Sequence, residues 1–311
     1  MILTVTMNPS MDISYPIQEF KLDDVNRVDN VYKTAGGKGL NVARVVKQMG
    51  EDVLATGVLG GNIGDYIVQE LTKSDIDNNF LKINQESRNC IAILHDGKQT
   101  EILESGPTLS AEDAAAFLEK YRELLTGVSL VTISGSLPKG LDPGFYRGMV
   151  EMGREMGIPV IVDTSGEPLR QVLLQKVKPF VIKPNITELS QLLGVEVEQS
   201  ISSLKQVLTN EWFHGIEWVV VSMGGDGAFV KHGTDYYRVT IPSIDVVNPV
   251  GSGDATVAGL AVALKRKQSV PDVLKTAMTT GMLNTMEAGT GYIDRAKFGQ
   301  FFELVEVTKI D

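Results

Sequence analysis

Strand-like and helix-like stretches alternate along most of the chain, and this restricts the fold more than any other feature. Apolar runs stand at Ile2–Met7, Asp52–Leu59, Leu130–Ser134, Pro159–Asp163, Phe180–Lys183, Trp218–Ser222, Gly227–Lys231 and Tyr236–Ile241. Helical periodicity predicts helices over Leu40–Met49, Gly64–Ser74, Ala111–Leu125, Gly144–Met156, Pro168–Lys176, Ser203–Trp212, Asp254–Lys267, Pro271–Glu287 and Arg295–Val305. Strand then helix, repeated, means βαβ units: an α/β chain with a mostly parallel sheet and helices on both faces. Ligands of such sheets gather at the C-terminal strand ends. Asn8, Asp12, Ser136, Asp163, Asn185 and Ser222 fall there.

Residues 10–35 and 87–106 break the alternation; they are strand-like and lack strong helices. They predict a small β-sheet lid on the edge of a single domain spanning residues 1–311, the alternative being an irregular edge hairpin. No apolar run approaches the length of about 18 residues that a membrane span needs. The N-terminus, Met1-Ile2-Leu3-Thr4-Val5, reads as a strand and not a signal peptide. With Cys90 as the one cysteine, this points to the cytoplasm. Cys90 itself reads as a small sheet or core residue. A net charge of −10, from 29 basic and 39 acidic side chains, argues against a nucleic-acid partner. Any phosphate must then be met by cations within contact distance, since distant charge is screened over about 8 Å.

The stretch Asn248–Leu260 carries the chemistry. A strand-like run ends at Asp245-Val246-Val247, and Pro249 stops it. Gly251, Ser252 and Gly253 then form a tight turn at a helix N-terminus, where unpaired amides meet the positive end of the helix dipole. Glycines let an anion approach those amides. Asp254 follows, with two readings open: a helix cap, or a general base beside an oxyanion-type cradle. The pattern is not a Walker loop, because Lys38 is followed by Gly39 and Tyr32 stands where the first glycine should be.

Asn248–Leu260 resembles the second signature of the ribokinase-like, PfkB-type sugar kinases, and Ala35–Arg44 (Ala-Gly-Gly-Lys-Gly-Leu-Asn-Val-Ala-Arg) resembles the first. The likeness runs the whole length of the chain. It implies a ribokinase-like three-layer α/β/α core, a β-sheet lid that pairs subunits into a homodimer in some members, and transfer of a phosphoryl group from ATP with Mg²⁺. Asp254 would be the catalytic base and Gly251, Ser252 and Gly253 the cradle. Asp12 would hold sugar hydroxyls (alternatively, it is a turn residue after Pro9), with Gly37 and Asn41 beside the sugar. Arg27, Lys38, Arg88 and Ser136 would meet the phosphate already on the substrate; for Arg27 the alternative is a solvated surface charge. Asn185 and Glu188 would hold Mg²⁺, unless Glu188 merely favours a helix start. Lys183, Ser222, Gly224 and Gly227 would line the nucleotide site, the last three also reading as a hairpin turn, and Asn284 would sit beside the adenine.

Ser87-Arg88-Asn89, Thr100-Glu101-Ile102 and Gly106-Pro107 resemble the branch holding tagatose-6-phosphate kinases and 1-phosphofructokinases. Glu101–Pro107 leans toward D-tagatose 6-phosphate as acceptor, giving the 1,6-bisphosphate, as in lactose and galactose catabolism. Fructose 1-phosphate is the alternative. A catalytically idle phosphosugar-binding regulator is a reading from another class; it would predict loss of Asp254 or the glycine turn. A dinucleotide oxidoreductase is opposed by Asn8-Pro9-Ser10 where its glycine motif should stand.

Overall fold

Strands covered by helices on both faces read as unbroken apolar runs, and those runs form the middle of the main sheet. The computed structural model describes residues 1–96 and 98–310. Its main sheet orders the strands Glu306–Ile310, Asp235–Thr240, Ala228–His232, Trp218–Ser222, Val181–Ile182, Val160–Asp163, Leu130–Ser134, Ile2–Thr6, Val53–Gly60 and Asp77–Asn78; Leu81–Ile83 also pairs with Val53–Gly60. Pairing is parallel from Trp218–Ser222 to Val53–Gly60 and antiparallel across the hairpins on the other side. Alternation along the strands divides the core in two. Ile2, Leu130, Ile161 and Val181 pack with the helices Lys38–Gln48, Ser252–Lys265 and Val270–Thr285. Leu3, Val131, Val162 and Ile182 pack with Ala111–Leu125, Phe145–Glu155 and Gly166–Leu173. The expected three layers are therefore present. No helix among the described residues is long and apolar enough to cross a membrane.

Helix Ser252–Lys265 is buried without a break from Asp254 to Ala263. It lies between the sheet and two neighbouring helices, so its small residues face protein on every side, and it begins beside the start of Lys38–Gln48. Both positive dipole ends thus point to one region, above the C-terminal ends of Ile2–Thr6, Leu130–Ser134 and Val160–Asp163.

The expected small sheet is also present and separate, with strand order Tyr32–Gly36, Ser10–Pro16, Arg88–His95, Lys98–Leu103. Its register places Ser10 opposite both Gly36 and Arg88. With Leu103 paired to Cys90, all four chain crossings between this sheet and the core lie at one end of it.

Some expectations fail. Asp245-Val246-Val247 is not the end of a strand but an irregular segment, with Val246 58% and Val247 62% exposed. The amides of Val247 and Asn248 both reach Thr285 O, so this segment is tied to a helix end and not to a ladder. The helix expected over Ser203–Trp212 divides into Ile201–Val207 and a 3₁₀ turn, Glu211–Phe213, each opened by its own side-chain cap, Ser200 and Asn210. Strand Glu306–Ile310 is absent from the expected elements, and helix Ile186–Leu193 is present there only as the alternative reading of Glu188.

Candidate active site

Gly251 has φ 86 and ψ −3, the left-handed conformation that glycine adopts without steric cost. A Cβ there would lie 2.4 Å from Thr290 Cγ2 and 2.9 Å from Asn284 Oδ1, so the position admits no side chain. The turn opens helix Ser252–Lys265. Ser252 N–H reaches Pro249 O and Ala255 N–H reaches Gly251 O. The amides of Gly253 and Asp254 are left without a hydrogen-bond partner among the described residues.

Asp254 does not cap this helix: Gly251 is the cap residue, and no side-chain cap bond forms. The Asp254 carboxylate instead turns across to the neighbouring helix, where Asn41 Nδ2 donates to Oδ2 at 2.7 Å. Oδ1 makes no hydrogen bond among the described residues and is not sealed from solvent, although the residue is only 5% exposed. Burial pushes the Asp254 carboxyl up to about 6; Lys38, the Asn41 bond and Lys183 act against that, and the Asp163 charge acts with it.

Asp163, at the end of its strand, is fully enclosed between two ammonium groups. Lys38 Nζ lies 3.4 Å from one carboxylate oxygen and Lys183 Nζ 3.3 Å from the other. Burial raises the Asp163 carboxyl, but the two lysines outweigh it and hold it below the usual carboxylate range. The Asp163 charge in turn raises the Lys38 ammonium, against a burial cost. Lys38 remains 43% exposed, a cation open to an anionic ligand. Lys183 is buried, its Nζ on the Gly253 side of the turn. Sequence reasoning placed Asp163 at a strand end but gave it no role. It also passed over Arg44, which is buried beneath Asn41.

On the small-sheet side, Asp12 lies against Gly36, where a Cβ would fall 2.0 Å from the carboxyl carbon. Ser10 Oγ donates to Asp12 Oδ1 at 2.7 Å. Burial raises the Asp12 carboxyl, and Ser10, Arg44 and Arg88 draw it down. Cys90 pairs beside Asp12 in the lid sheet; burial raises its thiol, in keeping with a sheet residue rather than a nucleophile. Arg88 donates to Asn8 O and Glu104 O at 3.1 and 3.0 Å. It borders a cavity of about 450 Å³ with Ser87, Asn89 and Ser105. Ser136 is exposed in the loop after its strand. Arg27 is exposed on the connection between two strands of the small sheet and makes no hydrogen bond or ion pair among the described residues.

Beyond Val181–Ile182, Asn185 and Glu188 form a reciprocal capping box at the start of Ile186–Leu193, with bonds of 2.8 and 2.9 Å. A short parallel bridge sets Asn185 beside Ser222. Gly224 and Gly227, both at positive φ, frame a 3₁₀ turn; Gly224 is exposed and Gly227 buried. Asn284 is wholly buried behind Gly251, and its amide donates to Tyr292 O at 3.0 Å.

The site thus joins unpaired amides at a helix start, a buried carboxylate and an open ammonium. That set can take a proton from an alcohol and hold developing negative charge beside it. A family model described as pfkB family carbohydrate kinase matches residues 5–296. This chain belongs to the pfkB family of carbohydrate kinases. It is an enzyme, a phosphotransferase with an alcohol acceptor, as its two signatures imply. A proposed phosphofructokinase from Staphylococcus aureus is similar to this pfkB kinase at 30% identity, covering 100% of this chain and 99% of that one, with a TM-score of 0.86. A protein provisionally named 1-phosphofructokinase from Thermotoga maritima is 26% identical, covers 100% and 99%, and has a TM-score of 0.90. The tetrameric inhibited form of phosphofructokinase-2 from Escherichia coli is 24% identical, covers 97% and 98%, and shares the fold with a TM-score of 0.88.

Proposed function

We propose that this pfkB kinase transfers a phosphoryl group from ATP to a primary hydroxyl of a ketohexose phosphate, with D-tagatose 6-phosphate as the acceptor. The observation that carries the reading is the Asp254 carboxylate, held by Asn41 beside the free Gly253 and Asp254 amides and the Lys38 ammonium. Asp254 accepts the acceptor hydroxyl's proton while the new O–P bond forms and the bond to the ADP leaving group breaks. The Gly251–Gly253 turn holds the oxygens of the transferring group. Lys38 and Lys183 balance its charge, and Asp163 keeps both ammoniums in place. Asp12 orients the sugar hydroxyls, and Arg88 and Ser136 meet its phosphate. Ser222, Gly224 and Gly227 line the nucleotide side.

The donor set suits Mg²⁺. Glu188 and Asn185 each spend an oxygen in the capping box, and no cluster of three or more acidic, His or Cys ligands exists among the described residues. An ion bound mainly through water and phosphate oxygens needs no fuller cage. Glu188 and Asn185 would hold it, and when bound it neutralises charge on the nucleotide phosphates.

Fructose 1-phosphate is a second acceptor reading, favoured by the full-length similarity to the Thermotoga maritima protein. The test is ADP release with tagatose 6-phosphate, fructose 6-phosphate and fructose 1-phosphate in parallel. We expect tagatose 6-phosphate to lead in kcat/KM. A lead for fructose 1-phosphate overturns the acceptor and leaves the chemistry standing. Asp254→Asn is expected to lower kcat roughly 10²- to 10⁴-fold, the span of a lost general base; an unaltered kcat with chemistry rate-limiting sinks the mechanism. Through its lid the enzyme pairs with a second copy.

A further inference from the structure

Arg44 is 5% exposed and three residues from Asn41 on the same helix, yet the phosphoryl transfer itself makes no use of it. Its guanidinium joins three separate segments. Nη1 donates to Ala35 O, in the lid strand that leads into the helix. Nη2 donates to Thr290 O at 3.2 Å and to Asn41 Oδ1 at 2.5 Å. The group also lies over the Tyr292 ring, 5.6 Å from its centroid. Gly291 presses on it: a Cβ there would stand 3.0 Å from Arg44 Nε.

An arginine has only donors, and an amide has one accepting and one donating end. With Arg44 against one end of Asn41, that end must be the oxygen. The nitrogen is then left for Asp254, and it is Nδ2 that donates to the carboxylate. We infer that Arg44 is a positioning residue for the base: it locks the Asn41 amide in the one orientation that donates to Asp254. This rests on Asp254 being the base. Without Arg44 the amide can turn over and set its oxygen against the carboxylate, which disfavours the ionised form. The other charged groups facing Asp254 are Lys38 on the same helix as Asn41, Asp163 at its strand end and Lys183 after Val181–Ile182. None of them touches the Asn41 amide.

The test is the pH dependence of kcat/KM for wild type, Arg44→Met, Asn41→Ala and the double variant, with folding checked by thermal melting. Asp254 must be ionised to act, so activity falls on the acid side. Arg44→Met is expected to move that limb upward by roughly one to two pH units, the worth of one hydrogen bond to a charged group. kcat should fall roughly five- to fifty-fold near pH 6, as a one- to two-unit shift of a group at about 6 requires, with KM for ATP little changed. Arg44 is itself a cation near Asp254, so part of the shift is direct. The cycle separates the two: adding Arg44→Met to Asn41→Ala should move the limb distinctly less than it does in wild type. Equal shifts in both backgrounds overturn the inference. If Arg44→Met does not fold, Arg44→Lys decides: one ammonium cannot hold Asn41, Ala35 O and Thr290 O together, so its limb should move the same way by less. A folded Arg44→Lys with the wild-type limb overturns the inference as well. An active Asp254→Asn enzyme would show that the base assignment had failed, whereas an inactive one with an unmoved limb in the Arg44 variants would show that only the positioning had.

Discussion

At the scale of single residues, the carboxylate proposed as the base works against the stability of the fold. Asp254 titrates at about 6 in the folded chain, above its ordinary 3.8. A carboxyl whose folded value is raised contributes stability that is complete below about pH 4 and is lost as pH rises through 6. Above pH 7 the ionised, buried Asp254 therefore costs about 3 kcal/mol, from a rise of roughly two pH units at about 1.36 kcal/mol each. An asparagine in its place would keep an acceptor for Asn41 Nδ2 and carry no charge. Asp254→Asn is thus expected to unfold at higher urea than wild type at pH 8, with the difference shrinking toward pH 4. A difference that does not change with pH would refute the burial cost. The same substitution that removes activity should strengthen the ligand-free protein, as expected where a site holds a charge for chemistry.

At the scale of elements, the Gly-Ser-Gly turn is where local backbone and function meet. Gly251→Ala would force a left-handed φ on a side chain and drive it into Thr290. A loss of about 1–3 kcal/mol in urea unfolding is expected, together with a fall in kcat beyond ten-fold as the amides move. Gly157 is a control: φ is 71, and a Cβ there meets nothing within 4 Å. Gly157→Ala should cost about 1 kcal/mol from backbone conformation alone and leave kcat unchanged. If Gly251→Ala kept its kcat as Gly157→Ala does, the cradle would have no part in catalysis. This turn was legible because its glycines, proline and aspartate are neighbours in the chain. The parallel strands were legible because burial on both faces leaves unbroken apolar runs. Glu306–Ile310 was not, because an edge strand carrying Glu306, Thr308 and Lys309 has no apolar run to show. Val246 and Val247 misled for the opposite reason, being apolar without a partner strand. Asp163 and Arg44 could not be assigned because their contacts join distant positions: Lys38 and Asp163 are 125 residues apart, and Arg44 and Thr290 are 246. A buried arginine in a helix gives no local sign of what it holds.

At the scale of the whole molecule, the lid carries apolar surface that the core does not cover. Register places Asp12, Cys90 and Leu103 side by side on one face of the small sheet, with Tyr32 and Leu94 further along that same face. Asp12 is drawn in toward the site, whereas Tyr32 is 64%, Leu103 60% and Leu94 38% exposed. An exposed strand edge with apolar side chains invites pairing, and the occupant we propose is the lid of a second copy. Pairing would hold the lid over the sugar and exclude water, which would otherwise compete as phosphoryl acceptor. Leu103→Glu places a charge in that face while leaving the core untouched. Sedimentation should show wild type as a dimer or larger and the variant shifted toward monomer. KM for the sugar phosphate should rise, and ADP release without sugar should increase relative to turnover. A wild-type chain that sediments as a monomer at assay concentration would exclude the pairing. So would a Leu103→Glu variant that keeps the wild-type mass with an unchanged KM.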